Sequence, residues 1–569
     1  MRRRVVLLSI GLVLAVVALA VIMALPPAAQ VVPADASDHS VRGAFHIHSD
    51  RSDGSGSIDA IAAAAARAGL AFIIVTDHGD GTRVPDPPSY RHGVLVIDAV
   101  ELSTTGGHVA ALGLPATPYP FAGTPADVIE DVHRLGGFAI ATHPGSPRAS
   151  LQWRDWAVDF DGLEWMNADS EWRDELWGAL GRTLLTYAFR GPETLASLLD
   201  RPDSVIARWD AAGRDRRVVG LAGADAHARL GFRQRTDPDV SAVHVPLPGY
   251  DASFRAFSNH VELDHPSSGD AIADAAGVVE AIRDGRLFTV IDGLASPGSF
   301  TFTGASGNHA VTIGGRLILD GPAALRAHIA APPHTTMTLF RDGQRYREFQ
   351  AADLDADVSG QPGVYRIEAT IAGAPGQPPI PWVMSNPIYV GISHAIPVRS
   401  VTAVRDYARI QPVALDQPEV EMGPGCTSEI SVAKGSGTVA ITWRYALAGG
   451  APAGQFAALR IPVTGLDLSE FTLARARVAA DRPMRAWMQL RAPVGNVERW
   501  GSTFYADSEE RLIELPLDAY APIGEPSSVR APLDKVESIL IVVDTLNTLP
   551  GKGGTMRVTL LDLARQGRR

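Results

Sequence analysis

Apolar and polar positions change their pattern three times along the chain. Behind Arg2, Arg3 and Arg4 runs an apolar stretch from Val5 to Leu25, broken only by Ser9 and Gly11. A run of about 20 apolar residues is long enough to cross a bilayer as a helix, and a basic flank stays on the cytoplasmic side. The pattern predicts a membrane segment over residues 1–29, with the body of the protein outside the cytoplasm. A cleaved signal ending near Ala34 and Ala36 is the alternative. Residues 30–41 read as a polar linker.

From Arg42 to about residue 296 strand-like and helix-like segments alternate, the signature of a parallel α/β layout. An Ala-rich helix begins at Ser57 and stops near Gly69, before the buried apolar strand Ala71 to Thr76. Thr124 and Pro125 form an N-cap and first-turn pair, Gly136 and Gly137 end that helix, and Phe138 to Thr142 is the next strand. Val218 to Ala222 is a strand of the same kind. A late helix, Ala271 to Asp284, precedes the strand Leu287 to Ile291.

After Pro297 the period becomes two. Asp342–Gly343 lies between two strand-like runs as in a hairpin, and Gly363 to Ile371 alternates cleanly. Residues 297–396 read as a small β-sandwich. Residues 397–569, with strands such as Val439 to Tyr445, Met484 to Arg491 and Ile539 to Val543, read as a larger, jelly-roll-like one.

Composition narrows the chemistry. The 569 residues exceed one core, so about two to four domains are expected. A net charge of -12 argues against a nucleic-acid partner, because phosphate binding needs basic surface. Cys426 is the only cysteine, which excludes an intramolecular disulfide and a thiolate metal cluster. The first lysine is Lys434, so the preceding chain offers no lysine for a Schiff base.

Polar groups suited to metals stand where buried strands end. His46 and His48 lie two apart on a strand-like segment and share a face, with Asp53 close behind. Asp77 and His78 follow the strand from Ala71, Glu101 follows Gly93 to Val100, and His108 comes shortly after. His143 follows the strand that ends at Thr142, and Asp225 and His227 follow the strand from Val218. Parallel strands of a barrel gather such groups at one mouth. Histidines and carboxylates without cysteine suit zinc, manganese, iron or cobalt and not calcium.

In their order the motifs His46-Ile47-His48, Ser52-Asp53-Gly54, Thr76-Asp77-His78, Glu101, His108, Thr142-His143-Pro144 and Asp225-Ala226-His227 resemble the PHP (polymerase and histidinol phosphatase) superfamily of metallophosphoesterases. The resemblance covers roughly residues 42–292. It implies an α/β fold, a distorted (β/α)7 barrel, here followed by two β-sandwiches and preceded by the membrane segment. It also implies two to three divalent transition metal ions (zinc, manganese or iron). His46, His48, Glu101 and Asp225 would hold the first, Glu101 would bridge to a second on His108 and His143, and Asp53, His78 and His227 would hold the third. Metal-activated water would be the nucleophile. Asp77 would orient neighbouring groups or relay a proton, and Arg148 and Arg233 are candidates to grip an anionic substrate. Glu164 stands near a further strand end and reads as a group that orients ligands.

Three functions fit these residues. One is hydrolysis of small phosphate esters. A second is hydrolysis of carbamates or other acyl esters, as in the carbaryl-hydrolase branch of the superfamily, whose β-rich additions resemble Trp382 to Val390. The third is a surface binding protein with a vestigial metal domain, which the complete ligand set disfavours. The expected partners are a small ester substrate, the membrane through the N-terminal segment, and carbohydrate or protein through the sandwiches, where Trp443, Trp487 and Trp500 either stack on sugars or pack the core.

Overall fold

A computed structural model describes residues 12, 16, 19, 21–33 and 40–567, except 174–176, 234–240, 297–298, 393–405, 436–438, 464 and 494–496. The chain is mixed α/β with many sheets and divides into two compact units. The first comprises residues 1–80, 84–115 and 124–395, and the second residues 81–83, 116–123 and 396–569. The membrane segment is a point of correction. Among the described residues no helix is long and apolar enough to cross a membrane, which overturns anchoring through an N-terminal helix. Most of the run from Val5 to Leu25 lies outside the described residues.

In the first unit the elements that carry the site are β1 (Ser40–Ile47), α1 (Ile58–Arg67), β2 (Phe72–Val75), β3 (Val94–Asp98), β4 (Val100–Thr104), β5 (Gly107–Leu112), α2 (Pro125–Arg134), β6 (Phe138–Thr142), β7 (Gly162–Asn167), α3 (Asp203–Asp215), β8 (Val219–Ala226), β9 (Ser258–Glu262), α4 (Ala271–Arg283) and β10 (Leu287–Val290). Three of these four helices start where a side chain satisfies a first free N–H group, and α3 starts behind Pro202 without such a cap. Ser57 accepts from the Ala60 N–H ahead of α1. Thr124 and Asp127 cap each other ahead of α2, with Pro125 in the first turn. β2 reads Phe-Ile-Ile-Val and is buried throughout, as befits a parallel strand covered on both faces.

The strands close on themselves. β8, β1, β2 and β3 pair in parallel in that order. β3 and β4 are separated only by Ala99. β4 pairs with β5 and β5 with β6 antiparallel, and β6, β7 and β8 complete the ring in parallel. The one reversed strand, β5, breaks the regular alternation. Phe45, Phe72, Ile74, Ile97, Ile140 and Leu221 belong to the apolar core formed around these strands.

The sheet continues past the ring. β9 pairs antiparallel with β1 and with β10, and β10 pairs with Val383–Ser385. The expected hairpin is present between Thr336–Arg341 and Gln344–Phe349. Asp342 at φ 52 and Gly343 at φ 79 place both turn residues in the left-handed region that a two-residue hairpin needs. A buried ion network joins α3 to strand Gly363–Thr370. Arg366 donates to both Asp210 oxygens at 2.7 and 2.8 Å and to Glu368 at 2.5 Å, and Arg201 meets Glu368 at 2.7 Å. The Arg366 guanidinium also lies over the Phe340 ring at 4.5 Å.

The second unit contains two six-stranded sheets. One includes Thr427–Lys434, Val439–Ala446 and Gly553–Gln566. The other is built from β11 (Glu419–Met422), β12 (Phe456–Pro462), β13 (Met484–Ala492), β14 (Glu498–Ala506), β15 (Ala521–Ile523) and β16 (Ser538–Asp544), in the antiparallel order β11-β12-β16-β13-β14-β15. Strand alternation sends Met484, Ala486, Met488 and Leu490 of β13 into a core shared with Trp443 and Trp500.

Candidate metal centre

Buried strands end at one place in the first unit and deliver imidazoles and carboxylates to it. Glu101, near the start of β4, is the hub. Its Oε2 lies 3.3 Å from the nearest ring nitrogen of each of His46, His48 and His78. Its Oε1 lies 3.1 Å from His108 Nδ1 and 2.9 Å from His143 Nε2, and accepts from the Thr142 hydroxyl at 2.8 Å. The antiparallel turn of β5 explains His108: its register sets His108 opposite both Ser103 and Thr142, which brings the ring beside Glu101.

Two further carboxylates complete the cluster. Asp225 Oδ1 stands 3.5 Å from His46 Nε2 and 3.4 Å from His48 Nε2. Asp53 reaches His48, His227 and His78 at 3.4, 3.2 and 3.7 Å. Four groups of three or more residues bring ligand atoms within 4.8 Å of one another: His48, Asp53, His78 and His227; His46, His143 and Asp225; His46, His48 and Glu101; and His78, Glu101 and His108. All nine ligand candidates therefore meet at one centre. The groups overlap: His143 also falls with His46 and Asp225, and His78 also with Glu101 and His108.

The donor set fits metal ions on two grounds. His46 Nε2 and both ring nitrogens of His48 are buried without a hydrogen-bond partner, a costly state for polar atoms unless a cation takes their lone pairs. The outer nitrogens of three rings are fixed. His46 Nδ1 meets Glu164 Oε1 at 2.6 Å, His143 Nδ1 meets the Leu151 carbonyl at 3.0 Å, and His227 Nδ1 meets the Asp225 carbonyl at 2.9 Å. Such contacts hold each ring with its other nitrogen turned inward.

Electrostatics point the same way. Burial opposes charge on Glu101 and Asp225, yet the surrounding histidines hold both carboxyls well below the usual range. Burial also opposes charge on His46, but Glu164, Asp225 and Glu101 raise it well above its ordinary value. For His227 the Asp53 hydrogen bond overcomes burial and lifts the ring to about 9. The centre is a buried negative site that draws positive charge.

Glu164 carries more of this arrangement than its sequence context suggests. Besides His46 it accepts from the His143 N–H at 2.5 Å and from Asn167 Nδ2 at 2.8 Å, and the same amide reaches Asp225 at 3.3 Å. A β-carbon on Gly223 would overlap the Glu164 carboxylate. Glu164→Ala should therefore lower metal affinity about 10- to 100-fold. Gly223→Ala should do the same by displacing the carboxylate, and chelator competition on both variants measures the loss.

The remaining site candidates are placed as follows. Asp77 is buried and turned to the loop that carries Asp53: it accepts from the Ser49 N–H and hydroxyl at 2.7 and 2.6 Å and from the Ser52 hydroxyl at 2.6 Å. Arg148 is exposed in the loop after β6, its N–H donating to Ser146 Oγ at 3.3 Å. Arg233 ends the strand Leu230–Arg233 opposite Ser241, and its side chain lies outside the described residues.

Fold and site together define a mixed α/β protein with a largely buried centre of six histidines and three carboxylates able to hold metal. No protein-family model matches the chain. An uncharacterized protein of Methanocaldococcus jannaschii is 34% identical over 107 residues, a match spanning 18% of this chain and 62% of that protein. A solved two-domain protein from Bacteroides vulgatus, containing a predicted PHP-like metal-dependent phosphoesterase, is 14% identical. That likeness covers 60% of this chain and 94% of the other, with a TM-score of 0.27. A family 11 carbohydrate-binding module from Clostridium thermocellum, solved with a β-1,3-1,4-mixed-linked tetrasaccharide, is 14% identical over 27% of this chain and 93% of its own, with a TM-score of 0.23. At these TM-scores neither structural likeness fixes the fold or the function of this chain.

Proposed function

We propose that the first unit carries a PHP-type, metal-dependent hydrolase, with a distorted (β/α)7 barrel as its frame and small phosphate esters as substrates. The observation that carries this reading is the division of labour at Glu101. One oxygen faces His46, His48 and His78 and the other faces His108 and His143, so that one carboxylate could serve two cations. The ordered motifs that resemble the superfamily supply the same residues independently. Divalent transition metals, when bound by these residues, would supply Lewis-acid polarisation and water activated near neutral pH.

The chain's own residues do the rest. Glu164 and the carbonyls of Leu151 and Asp225 hold three rings in position. Asp77 ties Ser49 and Ser52 and so steadies the loop that presents Asp53. With Glu164 and Asp77 beside the three ligand carboxylates, three dications would leave the centre net positive, which favours an anionic ester over a neutral one.

The test uses the purified chain, stripped with chelator and reloaded with zinc, manganese or iron in turn. Activity is measured on a phosphomonoester, a phosphodiester, a carbamate and a carboxylic ester. Loss of turnover on stripping, recovery on reloading and at least tenfold preference for a phosphate ester are expected. Preference for the carbamate would reassign the substrate class. No turnover with any metal, together with no bound metal, would sink the hydrolase reading.

A further inference from the structure

The second unit carries a cleft of its own on the face of the β11–β16 sheet that points away from the core. In β13 the core-facing Met484, Ala486, Met488 and Leu490 alternate with Arg485, Trp487, Gln489 and Arg491 on the opposite face. In β16 the same face presents Leu540, Val542 and Asp544, and β12 adds Phe456 and Ala458. Phe456 and Trp487 pack against Ala458, Leu540 and Val542 as an apolar patch separate from the main core. A cleft of about 420 Å³ lies on this patch, within the roughly 300–1,000 Å³ of small-ligand sites.

The groups around the cleft are mixed in a particular way. Gln489 is 3% exposed, and its carbonyl oxygen has no hydrogen-bond partner among the described residues. Asp544 lines the same cleft and accepts from the Leu546 N–H at 3.0 Å, which leaves acceptor capacity on its carboxylate. Arg499 lies with its guanidinium 5.6 Å from the Phe456 ring centre and offers N–H donors at the rim. Gly501 of β14, paired with Gln489 of β13, keeps the surface low: a β-carbon there would press on Trp487 and Ile523 at 2.9 and 2.8 Å.

We propose that this cleft binds a neutral carbohydrate chain. Sugars present an apolar C–H face that lies on aromatic and aliphatic side chains, and hydroxyl groups that both donate and accept at their edges. Phe456, Ile523 and Val542, which line the cleft, form such a floor. A sugar hydroxyl would satisfy the stranded Gln489 oxygen, Asp544 would accept a second, and Arg499 would donate to ring or hydroxyl oxygens. The cleft holds one carboxylate and one guanidinium, so it selects neither an anionic nor a cationic ligand. The chain's net charge of -12 turns away nucleic acid. The first unit's metal centre is not needed for this site.

Native affinity electrophoresis of the full chain tests the proposal, in gels containing a linear β-glucan, a xylan, a mannan or an α-glucan. Retardation in at least one gel is expected, weakened at least tenfold in Phe456→Ala and Gln489→Ala variants that melt like the parent. Should those two fail to fold, Arg499→Ala at the rim and Ile523→Ala decide. No retardation in any gel, or retardation undiminished in the folded variants, would overturn the proposal. A dimer by light scattering that Phe456→Ala splits would overturn it too, by giving the face to a second copy of the chain.

Discussion

Glu101→Gln will leave the chain folded and reduce hydrolysis by more than a hundredfold, with bound metal falling in parallel. The substitution keeps the shape of a side chain that is 1% exposed, so packing around it is retained. What it removes is one negative charge shared by two oxygens that between them face five imidazoles. An amide offers one carbonyl oxygen, and its NH2 group, placed on the other side, turns donors toward nitrogens that must themselves donate lone pairs to a cation. Loss of a group that merely orients ligands costs about 10- to 100-fold. Loss of the shared carboxylate must exceed that. Steady-state rates and elemental analysis of the same preparation check the expectation, and unchanged rate with unchanged metal would remove Glu101 from the centre.

The largest effect on stability is expected at the Arg366 ion network of the first unit. Arg366→Met should destabilise that unit by about 3–5 kcal/mol, because it strips the Asp210 carboxylate of its guanidinium partner and takes one of two from Glu368. Asp210 would lose both of its charge-assisted hydrogen bonds, whereas Glu368 would keep Arg201. The same reasoning gives a second, opposite expectation. Replacing Asp210 and Arg366 together with leucine and methionine should recover most of the loss, since the pair's desolvation cost disappears along with its attraction. Denaturant unfolding of the parent, both single variants and the double variant measures the coupling. Additive single losses would show that the network holds nothing together.

Much of the site was legible because its ligands follow buried strands. The apolar run from Ala71 announces β2 and the run from Phe138 announces β6, and His78 and His143 come directly after them. Caps made the helices equally plain: Ser57 and the Thr124–Pro125 pair start α1 and α2 where expected. Two things were hidden. The strand end at Glu164 pointed to a group that orients ligands, but which groups it holds, His46 and the His143 N–H, shows only in three dimensions. The reversed direction of β5 was also invisible, because the short segment Gly107–Leu112 has the same apolar composition in either orientation. The N-terminal run misled for a simple reason: apolar length alone is the criterion for a span, and the described helix there is too short to meet it.

Three of the ligand candidates hold left-handed backbone conformations: His46 at φ 66, His143 at φ 34 and Asp225 at φ 44. Side chains at such positions cost of order 1–3 kcal/mol each, a strain that glycine would relieve. Selection for durability and selection for chemistry thus pull in opposite directions at the same three codons. A library of this gene screened only for heat resistance, without metal, will drift toward glycine there and return sturdy, inert proteins. Screened with metal present, the same library should keep its histidines and aspartate, because a cation that binds only the folded chain reverses the balance.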